Sequence, residues 1–270
     1  MFFEIARAIK EIQPSYVLLE NVKGLFSHDG GRTFGTIIQT LDELGFFTEW
    51  GLFNSKYWGV PQNRERVYIL ATRKDKFKEP LLFDLVKQQT EVTTRLIDVL
   101  EDEVDEKYYL SEEKTRKLTL DHDLGGKLNM YDYNERDKIH SVNKVSPTLN
   151  TMQGGDRQPK IAIREATKQG YAIAEQGDSV NVSYPTSKTR RGRVGKQVAQ
   201  TLQAGEVNQG VVMNDIRIRK LSPLECWRLQ GFTDEQFYKA KDSGVSNSQL
   251  YKQAGNSVSV PVVDAIVKCL

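Results

Sequence analysis

The sequence predicts an α/β fold interrupted by a small, irregular, mostly β insertion, and three features carry that expectation. Helical and strand-like patterns alternate over residues 1–74, polar and turn-rich sequence fills 75–215, and helical sequence returns over 216–270. The opening FFEIARAIKEI puts Phe2, Ile5, Ile9 and Ile12 on one helix face, and Pro14 stops the pattern. YVLL at 16–19 is an unbroken apolar run after the turn signal QPS, as a strand covered on both faces of a parallel sheet reads. TFGTIIQTLDEL at 33–44 is predicted helical with Gly45 as its stop; FFTEWGLFN at 46–54 and RVYILAT at 66–72 are predicted strands. In such layered sheets the functional crevice lies at the carboxyl ends of the strands.

Within the insertion, VSPTLNTMQGGDRQPKIAI (145–163) and VAQTLQAGEVNQGVV (198–212) echo each other. Each carries a small residue, Thr-Leu, a Gly-containing polar loop and an apolar strand, a pattern too short for a solenoid but suited to a unit of loops and short strands. In SPLECWRLQGF (222–232), Ser222 is placed to cap a helix and Pro223 to open it. SVPVVDAIVKCL closes the chain as an apolar helix predicted to pack on the sheet.

Composition narrows the function classes. With 270 residues, 39% hydrophobic and 27% charged, the chain has apolar mass for one sizeable core or two modest ones, which excludes disordered and collagen-like classes. No stretch approaches the ~18 to 20 apolar residues of a membrane span, and Glu4 and Arg7 interrupt what would be a signal-peptide core. A cytoplasmic protein with no membrane partner is expected. Cys226 and Cys269 are the only cysteines and His28, His122 and His140 are scattered, so neither a disulfide framework nor a metal site is expected.

The net charge of +2 does not point to nucleic acid, but its distribution does. KTRRGRVGK, from Lys188 to Lys196, is free of acids, and Arg190, Arg191, Arg193 and Lys196 are expected to contact phosphates, with Gly192 and Gly195 allowing close approach. EDEVDE at 101–106 is expected to be a solvated loop. Glu20 directly follows YVLL, and the stretch Gln62-x-Arg64-x-Arg66 puts two guanidiniums on one face of an extended segment. A carboxyl beside them reads either as a structural ion pair or as a reacting group at a strand's carboxyl end.

The order Glu20-Asn21-Val22, Gln62-x-Arg64-x-Arg66, Arg219-x-Leu221-Ser222-Pro223-x-Glu225-x-x-Arg228-Leu229-Gln230-Gly231-Phe232, then Gln253-Ala254-Gly255-Asn256-Ser257-Val258 resembles the C5-cytosine DNA methyltransferases. The resemblance spans nearly the whole chain. It implies an incomplete Rossmann-like, S-adenosylmethionine-dependent methyltransferase domain with an inserted target-recognition domain. Residues 1–74 and 216–270 would form the catalytic part, and 75–215 would bind double-stranded DNA. Cytosine C5 is a poor nucleophile, so a thiolate must first add at C6, and a carboxyl hydrogen-bonded at N3 lowers that barrier. By resemblance that carboxyl is Glu20. Arg66 supports the reacting geometry, and Arg64 is similarly placed with a structural role equally open. Asn256 and Ser257 match positions that approach S-adenosylmethionine. Thr148 and Leu149 resemble the Thr-Leu element of the recognition domain, with Thr201 and Leu202 its weaker echo. A stacked base must be flipped out to react.

The sequence also departs from the family. It contains neither the Phe-x-Gly-x-Gly loop for the methyl donor nor the Pro-Cys-Gln loop of the nucleophile, and Cys226 and Cys269 both read as ordinary buried thiols. The chain is therefore expected to be a C-terminal portion, inactive alone and completed by an N-terminal polypeptide carrying the Pro-Cys-Gln loop. Two alternatives stand beside this reading: a non-catalytic, sequence-specific DNA-binding fragment, and a transfer-RNA-directed relative, against which the length between Arg66 and Arg219 argues.

Overall fold

The computed structural model describes residues 2–120, 160–204, 207–213 and 217–270; Thr148 and Leu149, and the first echo up to residue 159, lie outside them. The chain forms two compact units, one of Met1–Gly59, Arg64–Thr93 and Val258–Leu270, the other of Val60–Asn63 and Thr94–Ser257.

The first elements follow the sequence pattern closely. Helix α1 (Phe2–Ile12) buries Ala6 and Ile9, and strand β1 (Tyr16–Val22) follows the Pro14 turn. Helix α2 (Arg32–Glu43) buries Ile37 and Leu41, and Gly45, at φ +90°, turns the chain into β2 (Phe46–Asn54). The short β3 (Gln62–Asn63) precedes β4 (Glu65–Arg73), and α3 (Leu82–Lys87) comes next.

In the first unit the sheet order is β1-β4-β2, with both outer strands antiparallel to β4. Alternation along β4 divides the core between its faces. Val67, Ile69 and Ala71 meet Ile9, Val17, Ile37, Leu41 and Phe46, whereas Tyr68 and Leu70 meet Phe53, Leu82 and Leu85. Val262 and Ile266 from the chain's last helix join the second cluster, so that helix packs on the sheet as its sequence predicts.

YVLL lies in an antiparallel sheet and not in the parallel one its apolar run predicts. β1 is an outer strand of this sheet and only partly buried, while β4 is buried without a break from Val67 to Thr72. Four apolar residues in a row do not distinguish the two situations; pairing on both sides and cover on both faces do.

The second unit is built from short elements. Helix α4 (Glu112–Leu118) is capped by Ser111, and β5 (Lys160–Arg164) pairs with β6 (Tyr171–Glu175). Then come β7 (Ser179–Asn181), β8 (Val194–Gly195), β9 (Ala199–Gln200), β10 (Gln209–Val212) and β11 (Ile218–Lys220). They form a sheet of order β11-β10-β7-β8, and β9 pairs in parallel with β3. Helices α5 (Pro223–Arg228), α6 (Asp234–Asp242) and α7 (Asn247–Asn256) start from Ser222, Thr233 and Ser246, whose side chains each accept a main-chain N–H of the first turn. The last helix is α8 (Val260–Val267).

These unit boundaries differ from the compositional ones at residues 74 and 215. Trp227, Phe237 and Leu250 of the three helices share one core with Leu96, Ala199, Leu202, Val211 and Leu221, so 217–257 packs with the strands that precede it. Among the described residues no helix is long and apolar enough to cross a membrane.

Candidate active site

Strand register in the first unit assembles the carboxylate and both arginines. β1 and β4 pair so that Glu20 faces Tyr68 and Val22 faces Arg66. Arg64, Arg66 and Tyr68 fall two residues apart, on one face of the extended chain and on the side of Glu20. Glu20 Oε1 lies 2.9 Å from Arg66 Nε and 3.4 Å from Arg64 Nη2. The side chains of Arg64, Arg66 and Glu20 are 3%, 16% and 23% exposed, so burial deepens toward Arg64 while the carboxylate and Arg66 keep an opening to solvent.

Local main chain fixes Arg64. Its N–H donates to Asn54 Oδ1 at 3.2 Å, and its carbonyl accepts the Ser55 N–H at 3.1 Å. Burial, followed by the charge of Arg66, pulls the Arg64 guanidinium below the ordinary arginine range, and Glu20 pulls it back up. A guanidinium taken this far from water costs several kcal/mol, on the order of what a well-placed carboxylate offsets. Tyr68, opposite Glu20, is enclosed among Phe53 and Leu70; burial and then the Glu20 charge push its hydroxyl up to about 12. The sequence reading passed over Tyr68, although the same two-residue spacing extends from Arg64 through Arg66 to it.

In the second unit the other motif residues form their own arrangement. Gln62 is fully buried and its Oε1 accepts Gln230 Nε2 at 3.4 Å. Gln62 and Asn63 pair with Ala199 and Gln200, and Thr201 Oγ1 donates to the Asn63 carbonyl at 3.1 Å. Among the described residues, Thr201-Leu202, read as the weaker echo, is joined to the Gln62 strand. Gly255 closes this cluster: a Cβ there would lie 2.7 Å from the main chain of Gln203 and Ala204, so only glycine lets α7 approach so closely.

Asn256 ends α7 on the surface, and Ser257 follows with its Oγ donating to the Ala254 carbonyl at 3.0 Å. Together with Gln249, Lys252 and Gln253 they line an open depression of ≈ 400 Å³. Glu20, Arg64 and Arg66 belong to the first unit, and Asn256 and Ser257 to the second.

The basic run divides into different roles. Arg193 requires a correction: its side chain is fully buried, with Nη1 donating to the carbonyls of Asn181 (3.0 Å) and Ser183 (2.9 Å) and Nη2 to that of Tyr184 (2.7 Å). A guanidinium occupied in this way is not presented to phosphate. Lys196 is exposed but paired with Asp178 at 2.6 Å and Glu175 at 3.8 Å. Arg191 is exposed, with Nε donating to the Ala166 carbonyl at 2.9 Å, and Arg190 is partly exposed. The acidic run is not wholly solvated either, because Glu101 accepts from Ser222 Oγ and gives its N–H to Glu225 at 2.8 Å.

Neither cysteine has an activating setting. Cys226 is buried in the second-unit core, where burial pushes its thiol well above the ordinary range. Cys269, read from sequence as buried, is exposed just beyond α8, its thiol donating to the Ala265 carbonyl at 3.3 Å.

The C-5 cytosine-specific DNA methylase family matches over residues 1–270. The orphan methyltransferase M.SPBetaI of Bacillus phage SPbeta is 38% identical over 309 residues, an alignment covering 98% of this chain and 68% of that protein. The type II methyltransferase M.SsoII of Shigella sonnei is 33% identical over 269 residues, covering 99% of this chain and 56% of that protein. Among solved structures, the S. pombe Dnmt2 methyltransferase superposes with a TM-score of 0.57 at 17% identity, covering 99% of this chain and 70% of that one, a likeness of fold.

Proposed function

Because the chain belongs to the C-5 cytosine-specific DNA methylase family, we propose that it supplies the base-holding half of a DNA cytosine-5 methyltransferase. Its attacking thiolate would come from a Pro-Cys-Gln loop, which lies outside these 270 residues. The observation that carries this reading is Glu20, held by Arg66 at 2.9 Å and backed by the buried Arg64, in a chain whose two cysteines both lack an activating setting.

In this reading the Glu20 carboxyl hydrogen-bonds at N3 of the extruded cytosine. As sulfur adds at C6, electron density moves through the ring toward N3, and a proton held there by Glu20 keeps that density from building into a full charge. Arg66 fixes the carboxyl's orientation, and Arg64 holds the same carboxyl oxygen from the buried side. Asn256 and Ser257 offer an amide and a hydroxyl at the end of α7, donors and acceptors suited to one edge of S-adenosylmethionine. When bound, that group supplies an electrophilic methyl. The second unit, with Arg190 and Arg191 on its surface, would hold duplex DNA.

The test is methyl transfer to duplex DNA by the chain alone and by the chain mixed with a polypeptide carrying the Pro-Cys-Gln and Phe-x-Gly-x-Gly loops. Incorporation only in the mixture is expected. Incorporation by the chain alone would place the nucleophile among these residues, and silence in both would count against the reading as a whole.

A further inference from the structure

The buried Arg193 marks a part of the second unit whose shape exceeds what folding alone requires. Burying a guanidinium is costly, and Arg193 directs its donors to three consecutive-strand and loop carbonyls, those of Asn181, Ser183 and Tyr184. The result is one unusual residue. Tyr184 sits at φ +47°, in the left-handed region that an aromatic side chain seldom adopts, while its ring is 73% exposed. A single exposed tyrosine is ordinary on a protein surface. An exposed tyrosine whose main chain is held in a rare conformation by a buried cation is not, because the point from which the ring projects is set before any partner arrives.

The rest of the loop is held as firmly. Ser187 N–H donates to the Tyr184 carbonyl at 3.0 Å, closing a turn, and Ala166 N–H donates to the Arg190 carbonyl at 2.8 Å. Glu165 Oε1 accepts the N–H groups of Arg193 and Val194, fixing the return strand. Between Tyr184 and Gly192 the loop carries Lys188, Arg190 and Arg191 and no acidic residue. An aromatic ring projecting beside cations fits a polyanion whose stacked base steps can open to admit an apolar side chain, which describes duplex DNA.

If duplex DNA is the substrate, as proposed above, we propose that Tyr184 is a specificity-determining residue whose ring packs against a base step, with Arg190 and Arg191 on flanking phosphates. Arg193 is then a positioning residue, acting through the three carbonyls rather than on DNA.

The experiment measures equilibrium binding of the full chain, across a salt series, to a random-sequence duplex pool and to the duplexes the wild-type chain enriches from it. Tyr184→Ala is expected to lower affinity for the enriched duplexes about tenfold or more while leaving random-pool affinity and its salt slope in place. Tyr184→Phe keeps the preference, since the ring and not the hydroxyl makes the contact. Arg190→Ala and Arg191→Ala weaken both probes alike and each reduce the salt slope by about one. Arg193→Ala reproduces the lost preference. Unchanged preference in Tyr184→Ala, or a wild-type chain that binds both pools equally, would overturn the assignment of Tyr184. A wild-type chain with no salt-dependent affinity for either pool would overturn the DNA reading itself.

Discussion

Arg219 meets Glu225 through two parallel contacts, Nη1 to Oε2 at 2.8 Å and Nη2 to Oε1 at 2.7 Å, and neither side chain reaches solvent. The same carboxylate also accepts the N–H of Ser222 at 2.7 Å and of Glu101 at 2.8 Å, so one acid fixes β11, the start of α5 and the 101 segment. Glu225→Ala leaves a buried guanidinium without its carboxylate, and the buried Ser222 N–H and part-buried Glu101 N–H without their acceptor. It is expected to destabilise the second unit by about 3 to 5 kcal/mol, read from urea titration of the full chain. A loss below about 1 kcal/mol, the scale of an exposed ion pair, would show that the pair is not sealed from water.

Gly255→Ala tests the approach of α7 to the segment after Thr201-Leu202. The added methyl meets main chain at 2.7 Å, which cannot rotate away as a side chain tip would. A loss of about 1 to 3 kcal/mol is expected, with a corresponding fall in Tm. An unchanged melting curve would mean that the helix stands further from Ala204.

Glu20→Gln keeps the size of the side chain and removes its ability to exchange a proton with N3. In a mixture that methylates DNA, the rate is expected to fall by about 10² to 10⁴, while salt-dependent binding to random duplex stays as in wild type. A rate within a few-fold of wild type would remove Glu20 from the chemistry and leave it as a structural partner of the two arginines.

Tyr68 gives the molecule an alkaline limit whose sign can be worked out. Its hydroxyl is pushed from the ordinary 10.0 up to about 12, first by burial and then by Glu20. The unfolded chain therefore releases this proton at lower pH than the folded one. The associated stability is fully present below pH 10.0 and is lost as pH rises toward about 12. Denaturant titrations over that window should show a shallower decline in Tyr68→Phe than in wild type, and parallel declines would refute the assignment.

The elements that periodicity governs were legible in advance. β2 spans the predicted residues, α1 and α2 stop within two residues of Pro14 and Gly45, and Ser222 and Pro223 open α5. Glu20, Arg64 and Arg66 were legible as candidates because their spacing survives any extended conformation. Arg193 was misread because charge in a sequence does not reveal whether backbone carbonyls or solvent will receive it. Helices α6 and α7 went unassigned because they are mostly polar and each buries only one or two apolar side chains, Phe237 in one and Leu250 and Ala254 in the other. The packing of Trp227 and Leu250 with Ala199 and Val211 was not legible in composition, because those residues meet only in the folded core.

Strand β4 joins two functions in one ladder: its alternating side chains fill the cores on either face, and its pairing with β1 sets Glu20 against Tyr68 and beside Arg66. A slip of one residue would turn Val67, Ile69 and Ala71 toward the opposite cluster as it misaligned the acid and its guanidinium. Evolutionary drift that keeps the greasy interior intact therefore preserves the alignment of the polar cluster as a by-product, and a lineage cannot relocate that carboxylate without rebuilding the sheet around it.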